Sequence, residues 1–225
     1  MTLKTISLAL VAGFALSVLS GCATMGTKID TFSKVYEQRP MTILVMPPMN
    51  ESTSPEAKEF LECTLMPPLA EMGYYVIPVG IANEILKGEG VYDSEIIDDS
   101  ALPKLAEYFG ADAVLWTTIR EWDKTYVVLA GNVRVSLDYK LQSTRTGEIL
   151  WNYDGELKVD TSGDSGGAGG LAGLFVKAIS AAISTATTDY VPIARKINVK
   201  VLNTMPAGQY HALYDKDQKQ QVRIK

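Results

Sequence analysis

Val133-Arg134-Val135-Ser136-Leu137-Asp138-Tyr139-Lys140-Leu141 is the stretch whose reading decides the fold. Apolar side chains occupy every odd position and polar ones every even position. Successive residues of a strand point to opposite faces, so this is a strand with one face on a core and one toward water. Ser143 to Gly147 follows as a tight turn, with Gly147 where a left-handed residue is wanted. Ile149, Trp151 and Tyr153 alternate again on the return. The pair predicts an antiparallel hairpin, expected to reach upstream to Tyr126 and downstream to Val159.

Upstream the pattern changes. Met41 to Met46 (MTILVM) is a continuous apolar run closed by Pro47-Pro48, and predicts a strand buried on both faces. Ser54-Pro55-Glu56 opens a helix whose spacing places Phe60, Leu61, Thr64 and Leu65 together. Pro67-Pro68 is expected to break or kink it, and Gly73 to end it. Tyr74 to Pro78 reads as a second strand, Ile81 to Leu86 as a short helix, and Gly88 to Asp99 as a loop. Ser100 is expected to cap a third helix to Tyr108, with Leu102, Leu105 and Ala106 inward and Gly110 as its stop. Ala113 to Ile119 (AVLWTTI) is a third buried strand. Strand–helix alternation implies crossover connections. The expected fold class is therefore α/β: a two-layer or three-layer-like mixed sheet, alternating first and closing on the antiparallel hairpin.

After the hairpin, Thr161 to Gly173 reads as a glycine-rich joint. Leu171, Leu174, Phe175, Ala178, Ile179, Ala182 and Ile183 then share one helical face. Pro192 restarts a helix carrying Ile193, Ile197 and Val201, and Asp215 to Lys225 reads as a polar, frayed end.

The N-terminus addresses location. One basic residue, Lys4, precedes an apolar and small-residue run from Ile6 to Val18, the pattern of a secretory signal. Leu19-Ser20-Gly21-Cys22 closes it as a bacterial lipobox: small residues let the peptidase approach the backbone, and the Cys22 thiol takes the diacylglycerol. Each buried CH₂ contributes about 0.8 kcal/mol, so two or three acyl chains anchor stably. Ala23 follows, rather than the Asp that signals inner-membrane retention, which favours the outer membrane with the body facing the periplasm. The expected organisation is a signal peptide over 1–21, a lipidated tether over 22–40, the α/β domain over 41–205 and a polar tail over 206–225. Such a tether would span at most about 60 Å.

The full chain of 225 residues carries a net charge of −5, and −6 once residues 1–21 with their single Lys4 are gone. That balance argues against nucleic acid, and against an anionic membrane surface as the main partner. Cys63 is the second of two cysteines, so acylation of Cys22 leaves no intrachain disulfide to form.

Catalytic and cofactor chemistry finds little purchase. Gly167, Gly169 and Ala172 imperfectly match a dinucleotide fingerprint, but the preceding strand is the last, so a connector is the better reading. His211 is the sole histidine and reads as a solvated tail residue, which leaves neither a histidine-rich metal site nor a triad. Cys63 has no base nearby in sequence and reads as a small buried core residue. Asp93, Glu95, Asp98 and Asp99 cluster in one loop without the spacing of a calcium loop, and read as a solvated acidic loop. No catalytic, cofactor or metal residues are expected.

Gly110-Ala-Asp-Ala-Val-Leu115, the long strand, and Thr144-Arg-Thr-Gly-Glu-Ile-Leu-Trp151 resemble the curli-secretion-channel lipoprotein superfamily. That group includes lipoprotein activators of penicillin-binding proteins and has a fold like the TolB N-terminal domain. Met46-Pro-Pro-Met-Asn50 and Gly73-Tyr-Tyr-Val-Ile-Pro78 are similar, within it, to a lipoprotein family of unassigned function first noted among neisserial surface-antigen candidates. The resemblance spans residues 40–205 and implies no catalytic residues. It implies a non-enzymatic protein-binding module in envelope assembly or secretion, with homo-oligomers or a channel-type relative as partners; the alternative is a regulator of a peptidoglycan synthase. In the secretion channel two amphipathic hairpins build a barrel. Here Asp123 to Gly131 is expected to leave no room for one, and Thr161 to Gly173 is too short and glycine-rich for the other, so no such pore is expected.

Overall fold

The computed structural model describes residues 25–91, 96–127, 130–160 and 190–223. The leader, the lipobox, the glycine-rich joint and the helix expected from Leu171 lie outside the described residues.

Two strands, β1 (Met25–Thr27) and β2 (Thr42–Val45), bracket two short helices, α1 (Lys28–Thr31) and α2 (Ser33–Gln38). Then come β3 (Met49–Asn50), α3 (Ala57–Glu71), β4 (Tyr75–Ile77) and α4 (Val79–Gly88). A 3₁₀ turn at Asp99–Ala101 leads into α5 (Leu102–Phe109). The meander β5 (Ala113–Val127), β6 (Ala130–Ser143) and β7 (Ile149–Asp160) follows, and α6 (Val191–Leu202) and β8 (Gln221–Arg223) close the described chain.

The main sheet runs β4-β2-β5-β6-β7, with β3 also beside β5. β2 is parallel to both β4 and β5, whereas β5, β6 and β7 are antiparallel to one another. This is the mixed α/β sheet expected. Its two halves differ as their sequences do. Ile43 and Val45 enter one core with Leu115 and the helices α3 and α6; Leu44 and Met46 enter a second with Val114, Trp116, α4 and α5. A continuous apolar run serves two cores at once. β6 serves one: Val135, Leu137, Tyr139 and Leu141 all lie in the first core, and Asp138 and Lys140 face outward.

Two β-bulges explain where the alternation misleads. Ile119 faces Leu137 and Glu121 faces Ser136, so Arg120 is the extra residue on β5. The bulge shifts the phase, and Trp122 joins Ile119 in the first core. A second bulge faces Leu141 to Trp151 and Gln142 to Ile149. Leu150 and Trp151 are consequently both buried, and Ile149, expected inward, is exposed.

Other expectations need correction. α3 runs through Pro67 and Pro68 without a break. Leu61, Leu65, Pro68 and Leu69 are all buried along one face, so packing on both sides of the pair holds helical backbone where two N–H donors are missing. Asp98, not Ser100, caps the turn into α5, its side chain accepting from the Ser100 N–H at 2.9 Å. Asp123 to Gly131 does contain a hairpin: β5 and β6 stay paired to Val127 opposite Ala130. The existing strands lengthen, so no inserted segment is needed.

The largest correction concerns the ends. Residues 25–38, expected as tether, are folded, with Phe32 and Val35 in the first core and the Phe32 ring 6.4 Å from Trp151. β8, in the expected frayed tail, pairs antiparallel with β1, Met25 opposite Arg223. Two or three apolar side chains and one buried charge anchor each end, a signal too sparse for periodicity to register.

Candidate functional site

The joined ends form a clasp. Lys28 sits on α1 and Asp217 in the turn before β8, and their side chains are almost wholly buried. Nζ of Lys28 donates to Oδ2 of Asp217 at 2.9 Å and to the Met205 carbonyl at 2.6 Å. Asp217 also accepts from the Ala207 N–H at 2.8 Å and the Tyr36 hydroxyl at 3.0 Å. A buried pair is tolerable only when its remaining hydrogen-bonding capacity is satisfied, and this one meets that condition closely. Burial, then the hydrogen bond to Asp217, push the Tyr36 phenol far above its ordinary value, keeping it a donor. The Lys28 and Ile29 N–H groups donate to the Gln220 and Gln218 carbonyls.

Beside the clasp opens a cavity of about 360 Å³, lined in part by Lys28, Asn203, His211, Leu213, Asp217 and Gln220. His211, expected as a solvated tail residue, is half-buried here. Gly73 explains its place: it has φ of +83°, and a Cβ there would lie 2.3 Å from the His211 backbone nitrogen. The Tyr210 N–H donates to the Gly73 carbonyl and the Gly208 N–H to that of Met72. The C-terminal segment is thus stitched to the end of α3.

A second cavity, about 300 Å³, lies on the polar face of the meander. The bulged Arg120 reaches it, donating from Nε to Asp138 at 2.6 Å and from Nη1 to Glu51. Lys140 Nζ lies 5.6 Å over the Trp116 ring and 3.5 Å from Asp99. Met49, Ile97 and Thr118 complete the wall. The two cations are matched by three carboxylates, so this surface suits a polar or mixed-charge protein contact better than a simple anion.

Leu19, Ser20, Gly21 and Cys22 lie outside the described residues, as do Asp93, Glu95, Gly167, Gly169 and Ala172. Asp98 is a cap and Asp99 a partner of Lys140, so these two acids have separate local roles. Among the described residues no group of His, Cys, Asp and Glu is placed to hold a metal ion. Cys63 is exposed, not a core residue: Leu61, Thr64 and Leu65 take the inner face of α3, which turns position 63 outward. The residues of the clasp were not foreseen. Lys28 and Asp217 sit in polar stretches, and nothing local distinguishes a charge that will be buried by a partner at the far end of the chain.

The family described as "Putative lipoprotein GNA1162-like" matches residues 30–212. The lipoprotein NMB1124/NMB1162 of Neisseria meningitidis serogroup B is 31% identical over 175 residues, 78% of this chain and 80% of that protein. The crystal structure of lipoprotein GNA1162 from Neisseria meningitidis has a TM-score of 0.50 at 31% identity, covering 64% of this chain and 99% of that one. The PelC dodecamer of Paraburkholderia phytofirmans has a TM-score of 0.46 at 16% identity, covering 76% and 90%. The fold, the family match and the neisserial relative define the class: a lipoprotein α/β domain built on a mixed sheet. Within it, the chain belongs to the GNA1162-like lipoprotein family. Among the described residues no helix is long and apolar enough to cross a membrane.

Proposed function

We propose that the chain is cut after Leu19-Ser20-Gly21, acylated on Cys22, and held in the outer membrane facing the periplasm. There it acts, without enzymatic activity, as a protein-binding module in an envelope assembly or secretion-associated complex. Family membership supports the lipoprotein part. One observation carries the choice of role: the fold begins at Met25, with only Ala23 and Thr24 between Cys22 and β1. Three residues of fully extended chain span about 11 Å, against the about 60 Å of an 18-residue tether. A regulator of a peptidoglycan synthase needs reach toward the cell wall, which this short link does not supply. A component that assembles at the membrane surface needs none.

Fractionation and crosslinking of intact envelopes test this. Wild-type protein is expected in the outer-membrane fraction, crosslinked to envelope proteins or to further copies of itself. Cys22→Ala is expected to leave the membrane fraction. A wild-type chain recovered in aqueous extracts with its leader attached overturns the assignment; a crosslinked penicillin-binding protein as dominant partner overturns the choice of role.

A further inference from the structure

We propose that the clasp end of the domain is a lipid-contacting face, in which the exposed Lys216 and Lys219 meet the anionic phosphates of phospholipid headgroups. The inference rests on the acylation of Cys22 argued above.

Two independent observations converge on this end. One is position: β1 begins three residues after Cys22, and β8 lies against it with Arg223 opposite Met25. The chain from Cys22 to the start of β1 reaches at most about 11 Å, little more than the Debye length of about 8 Å at physiological salt, so charges beside β1 feel the headgroups. The other is charge. The chain is acidic as a whole, yet the described residues 216–223 hold three bases, Lys216, Lys219 and Arg223, and one acid, Asp217. That acid is neutralised by buried Lys28. Just before it, Asp215 lies 3.2 Å from Arg39. Lys216 and Lys219 are exposed, as is the acid Asp30 on α1. Met25 and Leu213, also exposed, place apolar surface on the same end. Basic residues around a short apolar patch, next to a lipid anchor, are what an interfacial contact requires. The net charge argues against an anionic membrane for the molecule, but not for this pole. Contact here would fix the orientation of the domain, and leave β6 and β7 with the Arg120 cavity for protein partners.

The full mature protein tests this, reconstituted into vesicles of phosphatidylcholine alone or of phosphatidylethanolamine with phosphatidylglycerol. An amine-reactive reagent and mass mapping report each lysine. Lys216 and Lys219 are expected to label about fivefold more slowly on the anionic vesicles, and high salt to restore their rate, whereas Lys87 and Lys104 are unchanged. Equal labelling of Lys216 and Lys219 on both vesicles, by protein that floats with them, overturns this inference and leaves the anchor intact. A mature chain whose mass shows no acyl groups overturns the anchor and this inference together. A Lys216→Glu/Lys219→Glu variant that floats equally well should turn the headgroup-facing residues indifferent to phosphatidylglycerol, read as loss of hydrogen-exchange protection over 213–223; undiminished protection counts against the charged contact.

Discussion

Lys28 and Asp217 lie 189 positions apart, and their charged atoms meet 2.9 Å apart inside the protein. That contact makes one body of what the chain's polar ends suggest are two loose tails. Asp217→Ala should leave an ammonium buried without its counter-charge and strip acceptors from Ala207 and Tyr36. The expected cost is about 3–5 kcal/mol, read from urea unfolding of the mature chain. Lys28→Met/Asp217→Asn removes both charges, keeps an amide oxygen to accept from the Ala207 N–H, and offers an amide N–H that the Tyr36 hydroxyl can accept. It should unfold within about 1 kcal/mol of wild type. Equal losses in both variants would mean the pair is not the unit that holds the ends.

A second buried link joins sheet to helices. The Tyr139 hydroxyl donates to Asn198 Oδ1 at 2.6 Å, and Asn198 Nδ2 donates to Thr64 Oγ1 at 2.8 Å. One amide thus ties β6, α6 and α3 together. Asn198→Leu keeps most of the volume and leaves the Tyr139 hydroxyl unpaired, for an expected loss of about 1–3 kcal/mol. Tyr139→Phe in that background should cost less than in the wild type, because the bond it removes is already gone. Additive losses would show the two groups acting separately.

The middle of the fold was legible because its residues answer to local rules. MTILVM reads as a doubly buried strand and is one; the β6 alternation reads as a half-buried strand and is one. Gly110 has the left-handed φ of +62° expected of a helix stop. What escaped depends on partners far away in sequence. Arg120 is an ordinary strand residue until the pairing across to β6 makes it a bulge. Lys28, Asp217 and the short strands β1 and β8 carry no period at all. Small size alone suggests a buried Cys63, although the helix phase set by Leu61 and Leu65 turns position 63 outward.

Two glycines on neighbouring elements should respond oppositely to the same change. Gly73 combines a positive φ with the His211 backbone 2.3 Å from any Cβ, and neither can relax by rotating a side chain. Gly73→Ala should cost roughly 1–3 kcal/mol. Gly80 lies in the first turn of α4 with nothing within 4 Å of a Cβ. Gly80→Ala should stabilise by a few tenths to about 1 kcal/mol. Thermal unfolding of the two variants checks both signs.

Glu148 ties the β6–β7 turn to α2. Its carboxylate lies 2.8 Å from Lys34 Nζ and accepts from Gln38 at 2.7 Å. The hydrogen bond and charge of Lys34, with Thr146 and Gln38, hold its carboxyl below the usual glutamate value. A value lower in the folded than in the unfolded state means the contribution is present above the unfolded value and fades as pH falls through the folded one. An NMR titration should place the Glu148 midpoint below that of a glutamate in a model peptide. Raised salt should draw it back, because the pair is exposed. A midpoint at the model-peptide value would show that the pair does not form in solution.

Thiol counting separates the state of the two cysteines. Cys63 is exposed on α3, so it should react with a thiol reagent in the folded protein, without denaturant. Cys22, if acylated, is a thioether and cannot react at all. The mature protein should therefore titrate one thiol per chain, the same number folded and in denaturant, although the sequence contains two cysteines. Cys63→Ser should then titrate none. A chain whose one thiol reacts only on unfolding would place Cys63 in the interior. Any reactive thiol in the Cys63→Ser variant would mean that Cys22 carries no acyl chain, and the proposed anchor next to β1 would be lost.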